Sequence, residues 1–187
     1  RENPRLLSNS DLFTLFDAAM CLPPDRTASL LSSILNEMNA FQCEKREDLP
    51  PVLVHSSFMF DPSILDEIEE AGCVVAEDDC CNGRRQFDLS HNPDSPYLYF
   101  EILHNFSFKP LCPVFRSADE RFELLYKLLR NYGISTVVFL DHNDDPARTE
   151  QTGVLKKKLM RSGIDPVAIK PGDARKMMRT YLDNAAR

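Results

Sequence analysis

The stretch from Pro51 to Arg85, PVLVHSSFMFDPSILDEIEEAGCVVAEDDCCNGRR, constrains the fold more than any other part of this chain. Val52 to His55 is apolar, Asp61-Pro62 opens a helix, Gly72 closes it, and Cys73 to Ala76 is apolar again. Asp61 is a good N-cap, Pro62 stands at the first helical position where its missing N–H is harmless, and Gly72 supplies a left-handed stop. The spacing predicts one β-α-β unit. Its strands are continuous apolar runs, the pattern of parallel strands covered on both faces. Ligands of open parallel sheets bind beyond the carboxyl ends of the strands. Here those ends are Ser56-Ser57-Phe58 and Asp78 to Arg85, and the second crowds acids, thiols, a glycine and two guanidinium groups into one loop.

The flanking segments extend this unit. Ser10 is expected to cap a helix with Leu12, Phe13, Leu15, Phe16, Ala19 and Met20 on its apolar side, ended by Pro23-Pro24. Asp25 starts a second helix whose apolar face is Leu30, Leu31, Ile34, Leu35 and Met38. Residues 1–48 thus read as a helical lead-in hairpin and 49–187 as an α/β lobe. A short helix is expected from Pro96 to Asn105. Ser117-x-x-Glu120 is a capping box for a helix that buries Phe122, Leu125, Leu128, Leu129 and Tyr132 before Gly133. Ser135 to Leu140 is a third strand, Thr149 to Ser162 a basic helix, Pro166 to Ile169 a fourth strand, and Asp173 caps a last helix. The expected architecture is a three-layer α/β domain with a four-stranded parallel sheet. Val52–His55 should pair with Cys73–Ala76 on one side and with Thr136–Leu140 on the other.

Composition removes several function classes. A formal charge of -7 with no Lys/Arg stripe argues against nucleic acid, whose binding depends on neutralising phosphates. No run approaches the roughly 18 apolar residues of a membrane span, and no signal-peptide pattern precedes the fold. A reducing, cytoplasmic setting is expected. The chain begins at Arg1 and enters on a helix cap rather than a strand, which suggests a fragment of a longer protein. The six cysteines, at 21, 43, 73, 80, 81 and 112, form no C-x-x-C pair and no regular framework.

Three clusters carry candidate chemistry. Asp78, Asp79, Gly83, Arg84 and Arg85 can present backbone N–H groups and guanidinium forks to an anion, or can form a surface loop whose charges satisfy one another. Neither the dinucleotide-binding glycine fingerprint nor the P-loop is present. Cys80 and Cys81 can ligate a metal or cluster, although adjacent side chains in an extended loop point apart and free cysteine is commonly a small buried hydrophobe. Cys73 and Cys21 are expected in the core. Asp141-His142-Asn143-Asp144-Asp145 can hold a cation or exchange protons, or can simply turn the chain. His55, His91 and His104 read as structural or solvated. Lys156-Lys157-Lys158 reads as a solvated helix face.

These residues also carry a family resemblance. The Pro51 to Arg85 run resembles the strand-helix-strand signature of the 2-hydroxyacyl-CoA dehydratase D-component family, which includes benzoyl-CoA reductase subunits. The family's D-D-x-C-x-G-x-R pattern falls here on Asp78, Asp79, Cys81, Gly83 and Arg85. NPRLLSNSDLFTLFDAAMCLPP resembles the helices before the family's second lobe, and CPVFRSADERFELLYKLLRNYGISTVVFLDHNDDP resembles its Cys-Pro, helix and strand.

The resemblance implies the second lobe of an anaerobic subunit that pairs with a second dehydratase subunit. It implies an acyl-CoA substrate, a [4Fe-4S] cluster, an ATP-dependent activator protein as electron donor, and radical elimination of water. The carboxyl-end loops leave Ser57, His142 and Asn143 as candidates for a catalytic role not otherwise assigned, and Cys81 and Cys112 as the candidate metal ligands. Where the family places its last cluster cysteine, this sequence has Asn143 within Leu140-Asp141-His142-Asn143-Asp144. Two other readings fit the residues: an accessory subunit that keeps the lobe without a cluster, and a free-standing flavodoxin-like binding domain.

Overall fold

A computed structural model of the chain describes residues 7–40, 49–84, 94–108, 117–140, 146–170 and 172–185. Its elements run α1 (Asn9–Cys21), α2 (Pro24–Ala40), β1 (Pro51–His55), α3 (Ser63–Glu70), β2 (Val74–Asp79), α4 (Leu98–Phe108), α5 (Ala118–Tyr132), β3 (Thr136–Leu140), α6 (Pro146–Arg161), β4 (Asp165–Ile169) and α7 (Ala174–Ala185). The four strands form one sheet in the order β2-β1-β3-β4. All its pairings are parallel, with β1 between β2 and β3 as the apolar runs predicted.

Successive strand side chains alternate between faces, and the two faces build two cores. Val52, Val54, Val138 and Leu140 pack with Ile64, Leu65 and Ile68 of α3, Met178 of α7 and Phe13 of α1. Leu53, Val137 and Phe139 pack with Leu125 and Leu129 of α5 and Leu155 and Leu159 of α6. A bulge breaks the alternation in β2. Val52 pairs with Val75 but Leu53 pairs with Glu77, so Ala76 is passed over. Because the period is two, one extra residue turns the rest of the strand over. Val75 therefore joins the α3 core, whereas Glu77 and Asp79 lie on the α5 side, in register with Leu53 and His55.

Local boundaries differ from the sequence reading where side chains found other partners. Ser8, not Ser10, caps α1 in a capping box with Asp11, while the Ser10 hydroxyl donates to Asp66 of α3. The α3 helix begins one residue late. The Asp61 carboxylate accepts from both the backbone N–H and the hydroxyl of Ser63, at 3.0 and 2.6 Å, leaving Pro62 as N-cap without a side-chain bond. These two bonds hold the Asp61 carboxyl below its usual range. α2 starts at Pro24, inside the predicted Pro-Pro stop, since proline is tolerated in a first turn. The predicted cap of α5 is present in full, with Ser117 and Glu120 reciprocally bonded and Gly133 at φ 64°.

Cys73 precedes β2 as a buried residue whose thiol donates to the Ile68 carbonyl at 3.1 Å. Cys21, expected in the core, is exposed at the end of α1, because the apolar side of that helix is anchored by Phe13 one turn from its start. Lys156 and Lys158 are likewise less solvated than predicted. Lys156 lies 4.9 Å over the Phe139 ring and Lys158 pairs with Asp119 of α5. On the edge strand β4, the Asp165 N–H bonds the Ser135 carbonyl at 2.8 Å, which leaves the Pro166 nitrogen facing outward. No helix among the described residues is long and apolar enough to cross a membrane.

Among the glycines, Gly83 alone is closely packed: a Cβ there would lie 2.9 Å from Phe13 Cζ and would overlap the Asp78 carboxylate. Gly83→Ala is expected to destabilise the protein by about 1–3 kcal/mol through this overpacking. Urea unfolding of the two proteins measures it; an unchanged midpoint would show that α1 and the loop do not meet as described.

Candidate active site at the switch point of the sheet

The chain leaves β1 toward β2 on one side and returns to β3 on the other. The carboxyl ends of β1 and β3 therefore flank the topological switch point, where open α/β sheets bind ligands. A pocket opens there, lined by His55 and Ser57 from the end of β1, Ala118 and Arg121 from the first turns of α5, and Gln151, Thr152 and Leu155 from α6.

Behind the pocket lies a buried polar trio. His55 Nδ1 stands 2.8 Å from Asp79 Oδ2, and Arg121 Nη2 donates to the same oxygen. Their exposures are 8% for His55, 1% for Asp79 and 4% for Arg121. A carboxylate only accepts, so the Nδ1 atom carries the proton, and the 3.2 Å approach of Arg121 Nη2 to Nδ1 brings together two donors that share one acceptor. Asp79 and Arg121 balance each other in charge, so a neutral imidazole adds none. The ring also packs against Phe139, with centroids 4.8 Å apart, which fixes its plane.

The loop after β2 supports this arrangement. Cys81 N–H donates to the Ser57 carbonyl at 2.9 Å, while the Asn82 side chain accepts from Met59 N–H at 2.9 Å and donates to Met59 O at 3.0 Å. Those bonds clamp the loop after β1, and with it Ser57, to the loop after β2. Asp78 accepts from the backbone N–H groups of Cys80 and Arg84 at 3.1 and 3.2 Å. Arg84 pairs with buried Glu77, donates to the Tyr132 hydroxyl at 2.7 Å and lies 5.6 Å over the Tyr132 ring.

Of the residues singled out in the sequence, Ser57 lines the pocket and Asp79 lies beneath it, too deeply buried to touch a ligand. Asp78, Gly83 and Arg84 meet one another in the supporting loop. Arg85, Cys112, His142 and Asn143 lie outside the described residues.

Sequence reasoning missed His55 as a site residue and passed over Arg121. The signal for Arg121 was present: it occupies the apolar stripe of α5 with Leu125 and Leu129, four and eight residues on, where a charge needs a buried partner.

Cys73 and Cys80 are unsuited to a cluster, whereas Cys81 stands half-buried in the loop after β2. Among the described residues no group of three or more His, Cys, Asp or Glu side chains converges to hold a metal. Iron–sulfur ligation requires thiolates. Burial, with the Glu69 charge second, pushes the Cys73 thiol up to about 12, and burial, with the Asp78 charge second, pushes Cys80 well above the usual thiol range. Both are protonated at neutral pH. Native alkylation followed by mass spectrometry should modify exposed Cys21 well before Cys73 and Cys80. Rapid labelling of Cys80 would show that its side of the loop opens.

Asp79→Asn leaves the Arg121 charge buried without its carboxylate and is expected to cost about 3–5 kcal/mol, whereas Asp79→Leu combined with Arg121→Met should recover most of that loss. Thermal and urea unfolding of the single and double variants checks both halves. Equal destabilisation by single and double variants would place the cost in packing rather than charge.

A search of curated proteins finds no match to this chain. Residues 1–171 of the 187 match the sequence profile described as 2-hydroxyglutaryl-CoA dehydratase, D-component. With the predicted Asp78-Asp79-x-Cys81-x-Gly83 run on the sheet's carboxyl edge and the match covering everything up to the start of α7, the chain belongs to the 2-hydroxyglutaryl-CoA dehydratase D-component family.

Proposed function

We propose that this chain is one lobe of a 2-hydroxyacyl-CoA dehydratase or benzoyl-CoA reductase type subunit, and that it forms part of the cleft in which an acyl-CoA thioester loses water or is reduced. The observation that carries the reading is the His55–Asp79–Arg121 trio at the switch point, within a family whose members act on such thioesters. A buried carboxylate that fixes the tautomer and plane of an imidazole beside a pocket is the arrangement used to hold or move a proton at a defined atom. In this reading Ser57, Gln151 and Thr152 orient the substrate, and Asp78, Gly83 and Arg84 hold the pocket wall. The second dehydratase subunit and the ATP-dependent activator are its partners, in the cytoplasm.

A [4Fe-4S] cluster supplies one-electron chemistry where such enzymes hold it. Buried Cys73 and Cys80 do not fit one, so the proposal leaves Cys81 and Cys112 as this chain's candidate ligands beside others in the assembly, and assigns to this lobe substrate positioning and proton handling. The accessory-subunit reading draws on the same buried, protonated Cys73 and Cys80.

Kinetics of the full-length protein, assembled without oxygen with its partner subunit and activator, separate the two. For a catalytic lobe, His55→Ala should lower kcat by about 10²–10⁴-fold with little change in KM. Unaltered turnover with a folded His55→Ala protein would favour the accessory role.

A further inference from the structure

We infer that the switch-point pocket is an oxyanion site: it receives one negatively charged or strongly polarised oxygen of the ligand, such as a carboxylate, enolate or thioester carbonyl oxygen. Size limits the occupant first. The pocket has a volume of about 20 Å³, room for one water-sized group at its floor. Lining chemistry then selects its charge. The polar side chains around it are an imidazole, the Ser57 and Thr152 hydroxyls, the Gln151 amide and the Arg121 guanidinium. All can donate. Among the described residues no carboxylate lines it, although the chain carries 29 Asp and Glu against 22 Lys and Arg.

Among the described residues the acids nearby face other partners; Asp141, Asp144 and Asp145, after β3, lie outside them. Asp79 accepts from His55 and Arg121 behind the pocket, Asp119 pairs with Lys158, and Glu120 closes the capping box with Ser117. Ala118 brings the first turn of a 15-residue helix to the pocket, and a helix start is a region of positive potential. Donors fixed in advance around one oxygen are worth most where charge grows on it during a reaction. Asp79 and the loop clamp then act as positioning groups, since they hold His55 and Ser57 in place without reaching the pocket.

Which oxygen is received rests on the acyl-thioester reading above, but the site itself can be tested without CoA, reductant or partner. Titration of the full-length, ¹³C-histidine-labelled protein with acetate, and separately with neutral acetamide, is followed at the His55 ring carbons, assigned by their loss in His55→Asn. Acetate should give a saturable shift and acetamide one at least about tenfold weaker, as charge-assisted bonds exceed neutral ones.

Gln151→Glu sits on an exposed helix turn, keeps the side-chain shape and places a like charge at the pocket; it should weaken acetate by about tenfold or more. Ser57→Ala with Thr152→Val, which removes two donors, should do so by about tenfold. Circular dichroism confirms that each variant is folded. Equal responses to acetate and acetamide, an acetate response unchanged in Gln151→Glu, or no saturable response would each overturn the proposal, the last leaving a pocket for one buried water only. Because none of these results depends on turnover, loss of the dehydratase reading and loss of the oxyanion site are separately visible.

Discussion

One carboxylate organises the chemistry of this lobe. Asp79 is almost wholly buried at the end of β2 and accepts from His55 on the neighbouring strand and Arg121 on the helix above. Removing a charge from water costs several kcal/mol, and only well-aligned partners offset it. The arrangement is therefore stringent: α5 must dock with Arg121 over β2, and β1 must present His55 in register with Asp79. Apolar packing of Leu125 and Leu129 holds α5 against the sheet, but that packing tolerates sliding by a side chain or so. The guanidinium–carboxylate contact does not.

That contact exists only because β2 changes phase. Were Ala76 paired in a regular ladder, Asp79 would share the face of Val75 and point into the apolar layer beneath α3. Bulges that re-aim a side chain beside a site are a recurrent device. Here the device also moves Glu77, whose pairing with Arg84 and, through it, Tyr132 secures the far end of α5. One change of phase thus delivers two acids to the same helix, one near its start and one near its end.

How much of this the sequence disclosed follows from the range of each signal. Strands β1 and β3, the α5 capping box and the Gly133 stop are local patterns, and each was legible. The cap of α1 was misplaced by two residues because Ser10 prefers a partner on α3, far along the chain. The bulge left no mark, since VVAEDD reads equally well as an unbroken strand. His55 looked structural for the same reason: its significance depends on the register with Asp79, and register is a property of the sheet. Asp78, Gly83 and Arg84 were read together as an anion-binding loop; in the fold Asp78 accepts from that loop's backbone, while the Arg84 side chain reaches Glu77 and Tyr132. Arg121 alone carried a visible warning, a charge inside an apolar stripe.

The proline in β4 has a consequence for how the lobe can meet other chains. With Asp165 bonded to β3, the next nitrogen along the outer edge belongs to Pro166 and has no hydrogen to give. A further strand laid against that side would find its ladder interrupted at the second residue of a five-residue strand. The sheet is closed to extension there, and association across that flank falls to helices and side chains rather than to a shared backbone lattice.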